Sequence, residues 1–166
     1  MKNIVLTGFM ATGKSSVGKD LAAKLNISFV DSDEFIEKKL NKKIKDIFKE
    51  NGEQYFRQQE TKAIEELSNL TSCVISCGGG VVLNKYNIDL LRKNGIIVNL
   101  YASAQEIYKR IAGNKDRPLL ENTSLQKIQE LMDCRKEFYA NCDIVIKTDN
   151  LSVEQITNLI ISKLSA

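Results

Sequence analysis

The chain of 166 residues contains no histidine, and this absence removes several kinds of chemistry. A Ser-His-Asp triad, a histidine metal ligand and a phosphohistidine intermediate all require the imidazole ring. Cysteine is also scarce, with 4 residues and no Cys-x-x-Cys spacing. We therefore expect neither a zinc site nor thioredoxin-like chemistry. Cys73 and Cys77 lie in or beside an apolar segment, and we expect them to be buried free thiols.

Long apolar segments are missing as well. No stretch approaches the roughly 18 apolar residues of a membrane span, and nothing at the amino terminus resembles a signal peptide. We therefore expect a cytoplasmic protein without a membrane partner. Because no long apolar helix face is left over, we also expect a monomer.

The composition favours a globular protein with small anionic ligands. Apolar residues make up 43% and charged residues 27%, which at this length indicates one domain over residues 1–166. The net charge of +3 is mild and gives little support for nucleic-acid binding. The lysine-rich stretch 38–49 is interrupted by apolar residues at helical spacing, so we interpret it as a solvated helix face.

A glycine-rich segment near the amino terminus carries the most specific motif. Residues 8–15, GFMATGKS, match the phosphate-binding pattern G-x-x-x-x-G-K-[ST]. The segment follows a predicted strand at 4–7 and precedes a predicted helix at 16–25, which is the context that the motif requires. Its backbone N–H groups can point at an anion, Lys14 can reach the β- and γ-phosphates, and Ser15 can hold Mg²⁺. The segment predicts binding of a nucleoside triphosphate.

Short apolar runs alternate with segments of helical period along the rest of the chain. The predicted strands lie at 4–7, 27–30, 73–76, 96–100 and 144–146. The predicted helices lie at 16–25, 33–40, 53–68, 85–93, 104–111, 125–140 and 152–164. This alternation predicts an α/β fold with a parallel sheet that is covered on both faces by helices.

Polar segments follow the first three predicted strands, and ligands of such sheets bind at the carboxyl ends of the strands. The first strand leads into the phosphate loop, the second into Asp31-Ser32-Asp33, and the third into Gly78-Gly79-Gly80. In an extended segment Asp31 and Asp33 would face the same side, where one can support Mg²⁺ through water and the other can accept a substrate proton. Alternatively, Ser32 or Asp33 caps the next helix.

Two further features can contribute to a site, although each also has an ordinary structural explanation. The three successive glycines indicate either close approach of a ligand to the backbone or a plain turn. Glu60, three residues after Arg57, can hold that guanidinium on the helix surface or form an ordinary ion pair.

Two more arginines are of interest because arginine suits bidentate capture of carboxylate or phosphate. Arg117 lies beside the single proline, Pro118, in an irregular segment over 113–120 that is suited to a mobile lid. Arg135 lies in the predicted helix 125–140. Taken singly, each is more often a surface residue than a ligand contact.

Taken in order, these segments resemble the shikimate kinase family, which belongs to the P-loop kinases of small molecules. The resemblance runs from Ile4 to about Asp149. It rests on the phosphate loop, Asp31-Ser32-Asp33, Ile47-Phe48, Gly52-Glu53 through Phe56-Arg57 and Glu60, Gly78-Gly79-Gly80, Arg117-Pro118-Leu119-Leu120, and Arg135 with Tyr139.

The resemblance implies a three-layer α/β/α P-loop kinase fold around a mostly five-stranded parallel sheet. It also implies a small helical substrate-binding region near 33–61 and a lid near 112–122. The implied activity is ATP-dependent phosphorylation of the 3-hydroxyl of shikimate, with ATP as co-substrate and Mg²⁺ as cofactor.

The resemblance also implies roles for individual residues. The implied catalytic residues are Asp33 as the base, Lys14 and Arg117. ATP would contact Ala11, Thr12, Gly13, Lys14, Ser15, Ser16, Arg110 and Arg117. Shikimate would contact Asp33, Arg57, Gly78, Gly79, Gly80 and Arg135, with Phe48 and Phe56 as an apolar wall. Mg²⁺ would be held by Ser15 and, through water, by Asp31.

The chain departs from the family pattern in a few places. Ala11 stands where glycine is common and Ser16 where threonine is common, and the segment after Ile146 lacks the arginine and proline that many members carry there. Two other functions stay open at this point. One is a P-loop kinase for another small acceptor, such as gluconate or a nucleoside monophosphate. The other is a nucleotide-dependent binding protein with no phosphoryl acceptor.

Overall fold

The structure is a computed structural model that describes residues 1–113 and 123–166. Within these residues the strands are β1 Asn3–Gly8, β2 Ser28–Asp31, β3 Cys73–Ser76, β4 Gly95–Tyr101 and β5 Ile144–Lys147. The helices are α1 Lys14–Leu25, α2 Ser32–Leu40, α3 Ile44–Leu67, α4 Lys85–Asn94, α5 Ala104–Ala112, α6 Leu125–Ala140 and α7 Val153–Ser165. A short 3-10 turn at Val81–Leu83 precedes α4.

The strands form one parallel sheet in the order β2-β3-β1-β4-β5. The predicted α/β class and the five-stranded parallel sheet are therefore confirmed. The chain moves from β1 to one side of the sheet and later to the other, which creates a crevice at the carboxyl end of β1. Asp31 at the end of β2 lies in register with Ser76 at the end of β3. The segments after the first three strands consequently begin at the same edge, as predicted.

Apolar side chains from the sheet pack on both faces, because successive residues of a strand point to opposite sides. On one face Val5, Ile75 and Ile97 pack in a buried cluster with side chains of α3 and α4. On the other face Leu6, Val74 and Val98 pack with side chains of α1 and α7. These two clusters confirm the three-layer arrangement. Cys73 and Cys77 are buried free thiols within the first cluster, as expected.

A third, smaller apolar cluster joins α2 to α3 and lies outside the two main clusters. Its buried members are Ile36, Ile47, Phe56 and Ala63. These two helices form the helical region that the sequence placed near 33–61. Its use as a substrate-binding region stays a prediction.

The helical prediction was incomplete in this region. The chain leaves α2 at Asn41, which has a left-handed backbone with φ 50°. A new helix starts at Ile44 and continues past a kink at Gly52, where φ is 82°. The lysines of 38–49 therefore lie at two helix ends rather than on one helix face. They are nevertheless exposed to solvent, as expected. No helix among the described residues is long and apolar enough to cross a membrane.

Candidate active site

The phosphate loop turns tightly between β1 and α1. A Cβ atom at Gly8 would lie 2.5 Å from the carbonyl oxygen of Leu100, so β4 leaves no room for a side chain there. Gly13 has φ 88°, which glycine adopts without steric cost. Ala11 also has a left-handed backbone, with φ 58°. The departure from the family pattern at Ala11 therefore falls at a position whose backbone favours glycine.

The loop and the start of α1 line a cavity of about 350 Å³. The ammonium of Lys14 donates hydrogen bonds to the carbonyl oxygens of Gly8 at 2.8 Å and Phe9 at 2.9 Å. Helix α1 begins at Lys14, and its cap residue Gly13 has no side chain to accept a bond from the first turn. The helix N-terminus consequently offers N–H donors and a positive dipole end, which suits a phosphate group.

Most, but not all, of the predicted ATP-binding residues that the structure describes line this cavity. Those that line the cavity are Ala11, Gly13, Lys14, Ser15, Ser16 and Arg110. Thr12 does not line it: this side chain is buried, and its hydroxyl donates to the carbonyl oxygen of Phe9 at 2.8 Å. Thr12 therefore holds the loop from within.

Ser15 and Asp31 bring two oxygen atoms together at the base of the cavity. The Ser15 hydroxyl donates to Asp31 Oδ2 at 2.7 Å. Hydroxyl and carboxylate oxygens are suitable ligands for Mg²⁺, which commonly takes few ligands from the protein and the rest from water and phosphate. Residues 1–113 and 123–166 contain no group of three or more His, Cys, Asp or Glu that could hold a metal ion.

The geometry predicted for Asp31 and Asp33 was wrong in one respect. Asp31 is the last residue of β2, and Asp33 lies in the first turn of α2, so the pair is not in one extended segment. The cap of α2 is Asp31, whose Oδ1 accepts from the backbone N–H groups of Asp33 at 3.0 Å and Glu34 at 3.3 Å. Ser32 and Asp33 are not the cap. Asp31 and Asp33 nonetheless line the same cavity, as expected.

Asp33 has the electrostatic environment of a proton acceptor. Burial raises the pKa of Asp33 from 3.8 to about 6, and the charge of Asp31 adds to the increase. The charges of Lys14 and Arg57 act in the opposite direction. A carboxylate whose pKa is near physiological pH, and which is influenced by the charges of Lys14 and Arg57, can take a proton and release it again.

The glycine segment 78–80 makes room for these charged side chains. A Cβ atom at Gly78 would lie 2.6 Å from Oδ1 of Asp33, and one at Gly80 would overlap the guanidinium of Arg57. The backbone N–H of Gly78 also donates to the Ser32 hydroxyl at 2.8 Å. The entropic cost of successive glycines is thus explained by the packing of Asp33 and Arg57. Approach of a ligand to this backbone stays a prediction.

Arg57 is fixed in place by a buried carboxylate. Its Nη1 donates to both oxygens of Glu60, at 2.9 and 3.1 Å. Glu60 is only 2% exposed, so the expectation of a pair on the helix surface was wrong. Burial raises the pKa of Glu60, whereas Arg57 opposes that increase. Glu60 thus holds the guanidinium, a role that its spacing from Arg57 had suggested.

Two aromatic rings lie beside Arg57. The guanidinium carbon of Arg57 is 5.3 Å from the centre of the Phe56 ring. The rings of Phe48 and Phe56 are 4.6 Å apart between centroids. Arg57, Glu60 and Gly80 line a second cavity of about 270 Å³. The predicted apolar wall is therefore next to the predicted carboxylate-binding arginine.

Arg135 and Arg110 lie on two different helices, α6 and α5. The charge of Arg135, on α6, opposes the rise in the pKa of both Glu60 and Tyr139. Arg110, on α5, donates to the carbonyl oxygen of Ala11 at 3.0 Å and to that of Thr148 at 3.1 Å. It links the phosphate loop to the segment after β5, where the adenine was expected.

One predicted catalytic residue, Arg117, lies outside the described residues, and so does most of the predicted lid at 112–122. Two residues at the site were not among the predicted catalytic or binding residues. Glu60 had been considered only as a partner of Arg57, because of its three-residue spacing. Ser32, whose hydroxyl accepts from the N–H of Gly78, had been considered only as a possible helix cap.

Comparison with known proteins gives a consistent result. The family model described as shikimate kinase matches residues 10–165. A shikimate kinase of Caldicellulosiruptor saccharolyticus is 51% identical over 98% of this chain and 95% of the relative. The solved structure of shikimate kinase from Acinetobacter baumannii in complex with shikimate matches with a TM-score of 0.92 and 33% identity, over 99% of this chain and 93% of that one.

A gluconokinase from Sinorhizobium meliloti also superposes, with a TM-score of 0.66 over 99% of this chain and 91% of the other, but at 17% identity. That likeness extends to the fold alone. The family match, the close relative and the shared fold agree with the geometry of the phosphate loop and of the acidic and basic residues around it. This chain belongs to the shikimate kinase family.

Proposed function

We propose that the chain transfers the γ-phosphoryl group of ATP to the 3-hydroxyl of shikimate, giving shikimate 3-phosphate and ADP. The observation that carries this proposal is the position of Asp33. Its carboxylate lies in the phosphate-loop cavity, packs against Gly78, and is influenced by both Lys14 and Arg57. A proton acceptor between a phosphate site and a carboxylate-binding arginine suits phosphoryl transfer to an anionic alcohol.

The phosphate side of the reaction requires positioning and charge neutralisation. Lys14, the loop N–H groups and the start of α1 would bind the phosphates. Ser15 and Asp31 fit as the protein ligands of Mg²⁺, Asp31 through water. When bound, Mg²⁺ supplies positive charge against the phosphate oxygens. Arg117 would add a further cation, and this role stays a prediction.

The acceptor side requires orientation of one hydroxyl. Above pH 6 Asp33 is mostly ionised, so it can accept a hydrogen bond from the attacking hydroxyl and take its proton during transfer. Arg57, held by Glu60, and Arg135 would grip the shikimate carboxylate. The rings of Phe48 and Phe56 would cover the apolar face of the acceptor. Two arginines select an acidic acceptor over a neutral sugar.

The remaining expectations also stay predictions. They are a single domain over residues 1–166, a monomer, a cytoplasmic location, and the absence of nucleic-acid or membrane partners. Light scattering of the purified protein would measure the oligomeric state directly.

An acceptor panel tests the proposed function. ADP release is measured with Mg-ATP and, in parallel, shikimate, gluconate, AMP or no acceptor. We expect turnover to depend on shikimate. Equal or faster turnover with gluconate or AMP would contradict the proposed acceptor but leave the kinase chemistry in place. ATP binding without acceptor-dependent turnover would contradict the proposed kinase activity and favour a nucleotide-dependent binding protein.

A further inference from the structure

Tyr139, near the end of α6, lies where three parts of the site meet, and no catalytic or binding role has been given to it so far. It is 9% exposed. Its hydroxyl donates to the carbonyl oxygen of Gly79 at 2.6 Å. Its ring packs edge-on against Phe9 of the phosphate loop, with centroids 6.4 Å apart and an interplanar angle of 77°. One side chain therefore touches the glycine segment and the phosphate loop at the same time.

The third contact is with Arg135, one helical turn earlier. Residues four apart in a helix lie on the same face, so Arg135 and Tyr139 are neighbours on α6. Burial raises the pKa of Tyr139, and the charge of Arg135 and a side-chain hydrogen bond from it oppose the increase. The charge of Arg135 thus acts on the same hydroxyl whose proton goes to the carbonyl oxygen of Gly79. This places the phenol between an arginine that is proposed to bind the acceptor and the glycine backbone.

We propose that Tyr139 is a positioning residue for the acceptor: its hydroxyl holds Arg135 and Gly79 together, and its ring ties both to the phosphate loop through Phe9. This inference rests on the proposed function, because it assigns the held arginine to the shikimate carboxylate. Loss of the hydroxyl frees Arg135 to leave the pocket. The hydrogen bond from the tyrosine hydroxyl to the carbonyl oxygen of Gly79 is lost at the same time. The affinity for shikimate then falls, while the phosphate loop and Asp33 keep their places.

A tyrosine that only fills space would behave differently on substitution. Tyr139→Phe keeps the ring and its contact with Phe9 and removes only the hydroxyl. If the residue were merely structural, the variant would lose stability or overall activity without a selective effect on shikimate. A positioning role predicts a change in KM for shikimate with kcat largely kept.

Tyr86→Phe is a matched control. Its hydroxyl also donates one hydrogen bond, to Glu65 at 3.2 Å, but it is exposed on α4. For Tyr139→Phe we expect the KM and the dissociation constant for shikimate to rise about 5- to 30-fold, as befits loss of a hydrogen bond that involves a charged group. We expect KM for ATP to change less than about twofold, and the thermal midpoint to fall by no more than about 4 °C. Tyr86→Phe should match the wild type in each kinetic constant.

A double-mutant cycle tests whether the hydroxyl acts through Arg135. Shikimate binding is measured by calorimetry for wild type, Tyr139→Phe, Arg135→Ala and the double variant. The proposal predicts that Tyr139→Phe changes affinity much less once Arg135 is absent.

Three results would overturn the inference. They are a wild-type KM for shikimate in Tyr139→Phe, a fall in kcat and stability with KM unchanged, and full additivity in the cycle. Each of these applies when the wild-type protein binds and phosphorylates shikimate. Failure of the wild type to do so would instead refute the proposed function, and with it this inference.

Discussion

Replacing Asp33 by asparagine should inactivate the enzyme and stabilise its fold at the same time. The carboxylate is ionised at neutral pH although its surroundings favour the neutral form, since its pKa rises from 3.8 to about 6. The difference corresponds to about 3 kcal/mol at 1.36 kcal/mol per pH unit. Local relaxation reduces this figure, so we expect Asp33→Asn to raise the free energy of unfolding by about 1–3 kcal/mol at pH 7.5.

The pH dependence has a defined sign. The folded-state pKa of Asp33 is higher than its unfolded value, so the native protein binds more protons than the unfolded chain between about pH 4 and pH 6. This group therefore lowers the free energy of unfolding as the pH rises through that window, and the loss is complete above it. The advantage of Asp33→Asn should be largest above pH 6 and should vanish below about pH 4.

The assay combines thermal unfolding with kinetics. For a chain of this size, 1–3 kcal/mol corresponds to a rise of roughly 3–10 °C in the thermal midpoint at pH 7.5. We expect kcat to fall at least about 100-fold in the same variant, because the general base is lost. Asp89→Asn is the control. Asp89 is exposed and pairs with Lys85, so its replacement should change stability by about 0.5 kcal/mol or less.

Two results would refute this reasoning. An Asp33→Asn variant that is less stable than wild type at pH 7.5 would show that the carboxylate is not strained by burial. A variant that keeps near wild-type turnover would remove Asp33 from the mechanism.

The other predictions concern the arginine pocket and the pH profile. Arg57→Ala should raise KM for shikimate at least about 30-fold and leave KM for ATP nearly unchanged; an unaltered KM for shikimate would refute its assignment. Gly80→Ala should also raise KM for shikimate, because the new methyl group overlaps Arg57. Gly52→Ala is the control: its methyl group would enter open space, but its φ of 82° is unfavourable for alanine. It should therefore cost about 1 kcal/mol of stability and leave KM unchanged. If both glycine variants behave alike, the packing argument fails. The kcat/KM for shikimate should fall below about pH 6 as Asp33 becomes protonated, and a flat profile down to pH 5 would contradict this role.

Much of the fold was predictable because it depends on local patterns. The phosphate-loop motif fixes a strand before it and a helix after it, and short apolar runs marked the other strands to within a residue or two. The meeting of three polar segments at one edge followed from parallel topology. Asp31 at the end of β2, in register with Ser76 of β3, is the physical basis of that success.

The errors arose where tertiary packing or backbone geometry decides the outcome. The sequence placed Asp31 and Asp33 in one extended segment, but β2 passes into α2 without a loop residue and Asp31 caps the helix. Glu60 is charged and helical, so it was expected at the surface. It is instead buried and paired with Arg57, whose guanidinium packs against Gly80, a contact between segments about 20 residues apart in the chain.

The role of the three glycines was also beyond the sequence. Successive glycines indicate that something approaches the backbone closely, but composition does not identify what it is. The structure identifies the Asp33 carboxylate at Gly78 and the Arg57 guanidinium at Gly80. By contrast, the left-handed turn at Asn41 that separates α2 from α3 was predictable from the sequence, since asparagine is found at the left-handed position that ends helices.

Identification of the reaction product tests the central claim most directly. Purified protein is incubated with Mg-ATP and shikimate, and the mixture is analysed by phosphorus–proton correlation NMR, with Asp33→Asn as the matched control. The account predicts one new phosphate monoester whose phosphorus couples to the proton on C3 of shikimate, and much slower formation of it by the variant. Release of inorganic phosphate without a shikimate ester, or an ester at another hydroxyl, would contradict the account.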